Sequence, residues 1–371
     1  MELLAPAGTE EALRAAVAGG ADAVYLGGKS FGARHFAGNF SDRQLAGAIE
    51  LAHAHDMRVY VTVNTLIKEA EMADALAFVG MLDTLGADAV IVQDRGLLPL
   101  IKDRFSIPVH ASTQMGIHSL AGAAWAQEQG AERVILAREL GLEQVQRIAE
   151  GAEVGVEVFI HGAQCYCFSG QCLFSSFHGG RSGNRGMCAQ PCRKRYSLGN
   201  REGYLLSTAD MFAIDAIPAL MRSGVKALKI EGRMRSPQYV YLTSMVYRRA
   251  IERAREGTSP LITERERELL EVVFNRGFSG GYLKDKELIQ PSYPESRGRP
   301  LGTASVKDGR LEMPRHTLCP SDGISLYRGD VKVGGFDLKP SDLQVDVVQA
   351  VPPFPLADGV YAVYKTKDRE L

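Results

Sequence analysis

A repeated junction constrains this chain more than any other feature. At Gly20-Ala21-Asp22-Ala23-Val24-Tyr25-Leu26 a helical pattern ends on glycine, a short polar turn follows, and an apolar run begins. The junction recurs at Gly86–Val92, Gly130–Leu136 and Gly224–Ile230. Glycine supplies the left-handed residue that closes a helix. The unbroken apolar run after it suits a parallel strand buried on both faces. Further strands are expected at Glu2–Leu4, Arg58–Asn64, Val109–Ser112 and Val156–Ile160. Helices are expected at Thr9–Ala18, Ser41–His55 and Leu142–Glu150, with Thr9 and Ser41 as N-caps. Eight strands alternating with helices predict an α/β fold, a (β/α)8 TIM-like barrel. An open doubly wound sheet is the alternative. Its usual phosphate turn is absent, because Pro6-Ala7-Gly8-Thr9 is not G-x-G-x-x-G.

One connection breaks the pattern. Roughly sixty residues separate strand seven from strand eight, where a βα loop normally has about 2–6. Its second half is expected to hold a helix over about 209–222; its first half is a Cys-rich loop over 162–200. Long excursions at the C-terminal face of a barrel commonly carry function. The barrel is therefore placed at 1–258, including a helix over about 237–256. A linking region is placed at 259–296. A small all-β, barrel-like domain at 297–371 is read from short strands at Leu301–Val306, Ile324–Tyr327, Gln344–Ala350 and Val360–Lys365.

Five of the six cysteines fall in that loop: Cys165, Cys167, Cys172, Cys188 and Cys192. Glycine-containing turns accompany them, and glycine lets backbone approach a bulky group closely. Four thiolates from two loops can converge on Zn or on an iron–sulfur cluster, although the spacing matches neither a zinc ribbon nor a ferredoxin run. Incidental buried thiols are the plain alternative. Cys167 reads as a spare thiol, and Cys319 as a small buried hydrophobe. The loop is also basic, with Arg181, Arg185, Arg193, Lys194, Arg195 and Arg201. These residues suit RNA phosphate or an anionic substrate, charge balance for a tetrathiolate, or a solvated face.

A net charge of −1 excludes a generic polyanion binder. No signal peptide or membrane span is visible, so a cytoplasmic location is expected and no membrane partner. Homo-oligomer formation is compatible with the sequence.

Several segments together resemble the signature of the peptidase U32 (collagenase-like) family. They are Glu2–Gly8, Ala33-Arg34-His35-Phe36, Glu157–Cys165, Ser169–Ser175, Asn184–Arg193 and Lys229-Ile230-Glu231-Gly232-Arg233. The resemblance covers about residues 1–256. Gln164 departs from it, standing where an aliphatic residue is usual. The family name implies proteolysis, but neither H-E-x-x-H nor G-x-S-x-G is present. Cys165 with His161 can be posed as a nucleophile–base pair, but ligation of a cluster would use the same thiol. Better-understood members imply oxygen-independent hydroxylation of tRNA uridine, ribosomal RNA cytidine or a quinone precursor, with prephenate as the hydroxyl source for RNA. They also imply a [4Fe–4S] cluster on Cys165, Cys172, Cys188 and Cys192.

On that reading His161, Lys229 and Glu231 are expected as catalytic residues at the strand ends. Arg34, Arg138 and Arg233, with Asn64, Gln114 and Arg185, are expected to bind substrate. A dicarboxylate such as prephenate needs cationic clamps, best supplied by Arg forks. A competing possibility is that Lys229 and Glu231, two apart on one strand face, neutralise each other. The expected function is iron–sulfur-dependent hydroxylation of an RNA base, with tRNA as partner. The alternatives are a peptidase, or a non-catalytic RNA-binding or scaffold protein with structural Zn.

Overall fold

The computed structural model describes residues 1–34, 36–285 and 287–371. His35, part of one family-like segment, lies outside the described residues. The chain divides into two compact units. The first comprises Met1–Lys194, Leu206–Ile262 and Phe278–Ile289; the second comprises Arg195–Leu205, Thr263–Gly277 and Gln290–Leu371. The boundaries differ from those expected. Residues 259–296 are shared between the units, and the last part of the Cys-rich loop, from Arg195, belongs to the second.

The first unit is a closed parallel barrel. Its strands are β1 (Glu2–Pro6), β2 (Ala23–Gly27), β3 (Arg58–Val63), β4 (Ala89–Val92), β5 (Val109–Ala111), β6 (Arg133–Ile135), β7 (Gly155–Gly162) and β8 (Ala227–Ile230). Each pairs with the next, and β8 closes the ring by pairing with both β7 and β1. The glycine junctions do what their sequence implies: Gly20, Gly86, Gly130 and Gly224 all have positive φ.

The helices that precede the long insertion are α1 (Glu10–Ala18), α2 (Asp42–His53), α3 (Met72–Thr84), α4 (Leu97–Arg104), α5 (Leu120–Glu128) and α6 (Leu142–Gly151). Thr9 caps α1 through the Ala12 amide, and Ser41 forms a capping box with Gln44 on α2. Within the insertion, α7 (Phe174–Gly179) is a single short helix. The helix expected over about 209–222 is shorter than that. Asp210–Phe212 is a strand pairing antiparallel with the end of β7, and only α8 (Ile217–Arg222) is α-helical. The edge of β7 left free beyond its ladder with β6 captures that segment. Finally, α9 (Pro237–Glu256) starts on a Ser236 cap and ends at Gly257 with φ 70°.

The second unit is antiparallel. Its six-stranded sheet comprises β9 (Arg299–Lys307), β10 (Arg310–Pro314), β11 (Gly323–Arg328), β12 (Val331–Asp337), β13 (Val347–Ala350) and β14 (Gly359–Lys367), in the order β12-β11-β14-β9-β10-β13, and a separate hairpin pairs Tyr196–Leu198 with Arg201–Gly203. Alternate residues such as Leu301, Leu311, Leu326, Val348 and Tyr361 form its core. The all-β expectation holds. Among the described residues the end strands β12 and β13 do not pair, so the sheet is open rather than a closed barrel. A helix, α10 (Glu264–Val272), with a Thr263–Glu266 capping box, also belongs to this unit.

Candidate functional site at the barrel mouth

The barrel axis is lined with charge. Arg133 reaches Glu2 at 2.5 Å and Glu157 at 3.1 Å. Glu157 also takes Lys229 Nζ at 2.8 Å, with both side chains buried. Burial would raise the Glu157 carboxyl, but Lys229 and Arg133 hold it below its ordinary value. Lys229 is pushed down by burial against the pull of Glu157, and its ammonium sits 4.3 Å from the centroid of the Tyr25 ring. Lys229 is therefore a buried pillar of the barrel rather than a residue presented at the mouth. Its partner is Glu157, not the Glu231 that strand spacing suggested.

Above this layer lies a second one. Glu231 Oε2 accepts from Arg138 Nη2 at 2.7 Å and from Arg34 Nη2 at 3.2 Å. Burial would raise its carboxyl, but Arg34, Arg138 and Arg233 hold it at about 2. Arg138 also donates to the Ala163 carbonyl at 2.6 Å and stacks 3.9 Å above the Phe159 ring centroid. Its buried Nε has no hydrogen-bond partner. Arg233 is 4% exposed and donates to Thr62 Oγ1 at 2.9 Å. Burial first, and then the Arg34 charge, bring it down to about 10. Three guanidiniums thus surround one carboxylate, an excess of two positive charges over these four groups.

Two glycines make this packing feasible. A Cβ on Gly27 would meet Arg233 Nη1 at 2.2 Å, and one on Gly8 would meet the Arg233 carbonyl oxygen at 1.9 Å. The segment after β1 and the end of β2 can therefore approach Arg233 only because both positions lack a side chain.

Other expected residues are placed as follows. Asn64 accepts from the Ala33 amide at 2.9 Å, which holds the loop that carries Arg34. Gln114 lies under the insertion, where a Cβ on Gly170 would meet its carbonyl oxygen at 1.9 Å. Arg185 is not a free cation. It forks onto Glu71 at 2.7 and 2.9 Å and donates to the Leu66 carbonyl at 2.6 Å, tying the insertion to the loop after β3. His161 is not brought to the arginine cluster. It is 1% exposed, hydrogen-bonds Tyr247 at 3.2 Å, and packs among Phe212, Tyr239, Tyr247 and Phe278. Burial lowers its pKa to about 3.

The cysteines lie on the insertion. Cys165 and Cys188 are exposed, while Cys167, Cys172, Cys192 and, in the second unit, Cys319 are half-buried. Burial raises the Cys192 thiol to about 11 against Arg193, and Cys165, Cys188 and Cys172 add to the rise. Cys165, though exposed as a residue, is likewise raised by desolvation of its sulfur, opposed by a hydrogen bond from the Cys167 backbone and by Arg138 and aided by Cys172 and Cys188. The four thiols therefore share one electrostatic neighbourhood. Among the described residues, no three His, Cys, Asp or Glu side chains are gathered as the ligands of a single ion. Arg34 joins the two clusters: Glu231 is the main cause of its raised pKa, burial opposes, and Tyr25, Cys165 and Cys188 contribute. Sequence reasoning missed Glu157, Arg133, Thr62 and Glu71. A glutamate inside the apolar strand Val156–Ile160 was the one available signal for an interior ion pair.

The fold and site define a (β/α)8 barrel whose mouth is crossed by a cysteine-bearing insertion over an arginine–glutamate cluster. The chain belongs to peptidase family U32, whose sequence model matches residues 8–290. It is 40% identical over 259 residues to the 23S rRNA 5-hydroxycytidine C2501 synthase of Escherichia coli, covering 68% of this chain and 39% of that protein. It is 35% identical to tRNA hydroxylation protein P1 of Bacillus subtilis, covering 68% of this chain and 63% of that protein. It is also 35% identical to a collagenase of Porphyromonas gingivalis, covering 77% and 74%. The chain thus spans well under half of the ribosomal RNA synthase. A solved structure titled as that of the U32 peptidase Mk0906 matches with TM-score 0.45 at 13% identity, over 62% of this chain and 93% of that one. Among the described residues, no helix is long and apolar enough to cross a membrane.

Proposed function

We propose that this protein is an oxygen-independent hydroxylase of an RNA base, with tRNA uridine the favoured substrate. A [4Fe–4S] cluster would be held by Cys165, Cys172, Cys188 and Cys192. An anionic co-substrate such as prephenate would be held by Arg34, Arg138 and Arg233. The observation that carries the reading is the position of Arg34, whose guanidinium lies in the field of both Glu231 and the thiols of Cys165 and Cys188. The arginine cluster and the thiol set thus share one neighbourhood.

The donor set, four thiols on one insertion, suits such a cluster. A Zn ion bonded at ~2.3 Å to each sulfur draws its ligands into near contact. In a cubane each iron takes one thiolate, so the sulfurs stand further apart. Four cysteine thiols in one electrostatic neighbourhood supply the one thiolate per iron that the second case needs. When bound, the cluster supplies one-electron chemistry.

The protein residues set the rest. Glu231 preorganises Arg138 and Arg34 as adjacent forks, so little ordering remains when a carboxylate arrives. Arg233, buried and hydrogen-bonded to the neutral Thr62 hydroxyl, adds a third positive charge beside Glu231. Names among the relatives support both RNA hydroxylation and proteolysis. The peptidase reading needs His161 as the base for Cys165. An imidazole enclosed by aromatic rings and hydrogen-bonded to Tyr247 argues against that.

The test is twofold. Anaerobically purified protein should show a broad absorbance band with stoichiometric iron and sulfide, and Cys188→Ala should remove it. RNA from a deletion strain should lack a hydroxylated nucleoside. A colourless Zn protein with an unchanged nucleoside profile would overturn the proposal.

A further inference from the structure

The insertion carries a surface that the arginine and cysteine clusters do not explain. Among the described residues, the exposed aromatics are Phe36, Tyr166, Phe168, Phe177, Tyr241 and Tyr282. Three of these, Tyr166, Phe168 and Phe177, lie among the cysteines, and Phe36 lies 4.9 Å below the Arg181 guanidinium. Phe177 is 87% exposed and Phe168 is 69% exposed. Rings so displayed cost solvation and are not needed to fill a core.

The segments bearing them are held firmly. The turn at Phe168 closes through the Gln171 amide on the Phe168 carbonyl at 3.1 Å. The next residue, Ser169, is buried and donates to Glu139 from both its amide and its hydroxyl, at 2.5 and 2.9 Å. Gly170, at φ 74°, sits hard against the Gln114 carbonyl, as described above. Phe177 lies on α7, whose buried Ser175 accepts from the Ala189 amide at 3.0 Å and lies 3.8 Å from Cys188 Sγ. The backbone is pinned while the rings face solvent, as a preorganised platform requires.

The charge around the rings selects the occupant. From Ala163 to Lys194 the insertion has Arg181, Arg185, Arg193 and Lys194 but no Asp or Glu. Arg185 is engaged by Glu71 and Arg193 by Ser207, Thr208 and the Gln164 carbonyl, so Arg181, over the Phe36 ring, and the exposed Lys194 are the cations it offers to a phosphate. Aromatic faces among cations are how proteins hold unpaired bases: rings stack on bases while cations follow the phosphates. An interfacial membrane helix would instead need an extended apolar face, and α7 has only six residues.

We infer that Phe168 and Phe177 are stacking platforms that hold unpaired bases of a single-stranded RNA segment across the barrel mouth. The protein would then take its target base from a loop rather than from a duplex. This inference rests on the RNA-base reading above, and its test does not depend on turnover.

The experiment is fluorescence anisotropy of the full chain, purified anaerobically, with a short fluorescent oligouridylate, the same length of RNA duplex, and anionic phosphatidylglycerol vesicles. The wild type should bind the single strand more tightly than the duplex. Phe168→Ala and Phe177→Ala should each weaken single-strand binding by about tenfold, as expected when one stacked base is lost. Phe168→Tyr and Phe177→Tyr, which keep a stacking ring, should retain it. Melting temperatures report folding. If Phe168→Ala disturbs the pinned turn, the solvent-facing Phe177 carries the test alone. Unchanged binding in Phe177→Ala, equal loss in Phe177→Tyr, no binding of the oligouridylate by the wild type, or capture of vesicles in place of RNA would each overturn the platform. Nucleoside analysis judges the hydroxylase reading separately: intact stacking without a hydroxylated product would sink that reading alone.

Discussion

Arg138 is clamped between two opposite kinds of partner. Its Nη2 lies 2.7 Å from Glu231 Oε2, and its guanidinium plane lies 3.9 Å from the Phe159 ring centroid. The carboxylate sets the position of the fork, and the ring closes one face of it. Replacing Glu231 by Gln keeps the shape and removes the charge on which Arg34 and Arg138 converge. A loss of about 3 kcal/mol in unfolding free energy is expected, as when one member of a buried ion pair is removed. The wild-type carboxyl, held near 2, contributes stability that is present above its unfolded value of 4.5 and is lost as pH falls toward 2. Urea titrations should show that acid-side loss flattened in Glu231→Gln.

The pair below it makes a second prediction. Lys229 and Glu157 are both buried and 2.8 Å apart. Lys229→Met leaves Glu157 with Arg133 alone and should cost about 3–5 kcal/mol. Adding Glu157→Gln should recover part of that cost, because the second change removes the stranded charge. A double-mutant cycle by chemical denaturation checks this, and strict additivity would show that the two residues are not coupled.

His161 makes a prediction about pH. Its folded pKa is about 3 because burial disfavours the imidazolium, whereas the unfolded chain takes a proton near 6.5. Between these values the unfolded state binds more protons, so stability falls as pH drops, by about 1.4 kcal/mol per unit. Phe at position 161 suits the aromatic surroundings and has no proton to gain. The His161→Phe variant should therefore lose less stability than wild type between neutral pH and pH ~4. Parallel denaturation curves at both pH values would show that another group governs the acid limb.

Gly170 tests how the insertion is fixed. A methyl group there would sit 1.9 Å from the Gln114 carbonyl oxygen, at a φ of 74° that favours glycine. Gly170→Ala should displace the turn and expose the insertion to limited proteolysis within residues 163–194, with the far-ultraviolet circular dichroism of the barrel little changed. Cleavage no faster than in wild type would mean that the turn has room to yield.

Much of this protein is legible in one dimension. The glycine junctions mark four of the barrel strands and apolar runs alone mark the other four, because helix closure and burial on both faces are local demands. The N-caps at Thr9 and Ser41 are local in the same way. The cysteine loop and the arginines after strands six and eight could also be found, because strand ends define a barrel mouth. Tertiary structure decided who pairs with whom. Lys229 took Glu157 from the neighbouring strand rather than Glu231 from its own. Arg185 crossed from the insertion to Glu71, and His161 turned into an aromatic enclosure. The end of β7 drew Asp210–Phe212 into strand pairing where a helix was expected. Such choices depend on distances between residues far apart in sequence. A buried charge takes the nearest opposite charge that closure of the barrel brings to it, whatever its neighbours along the chain offer.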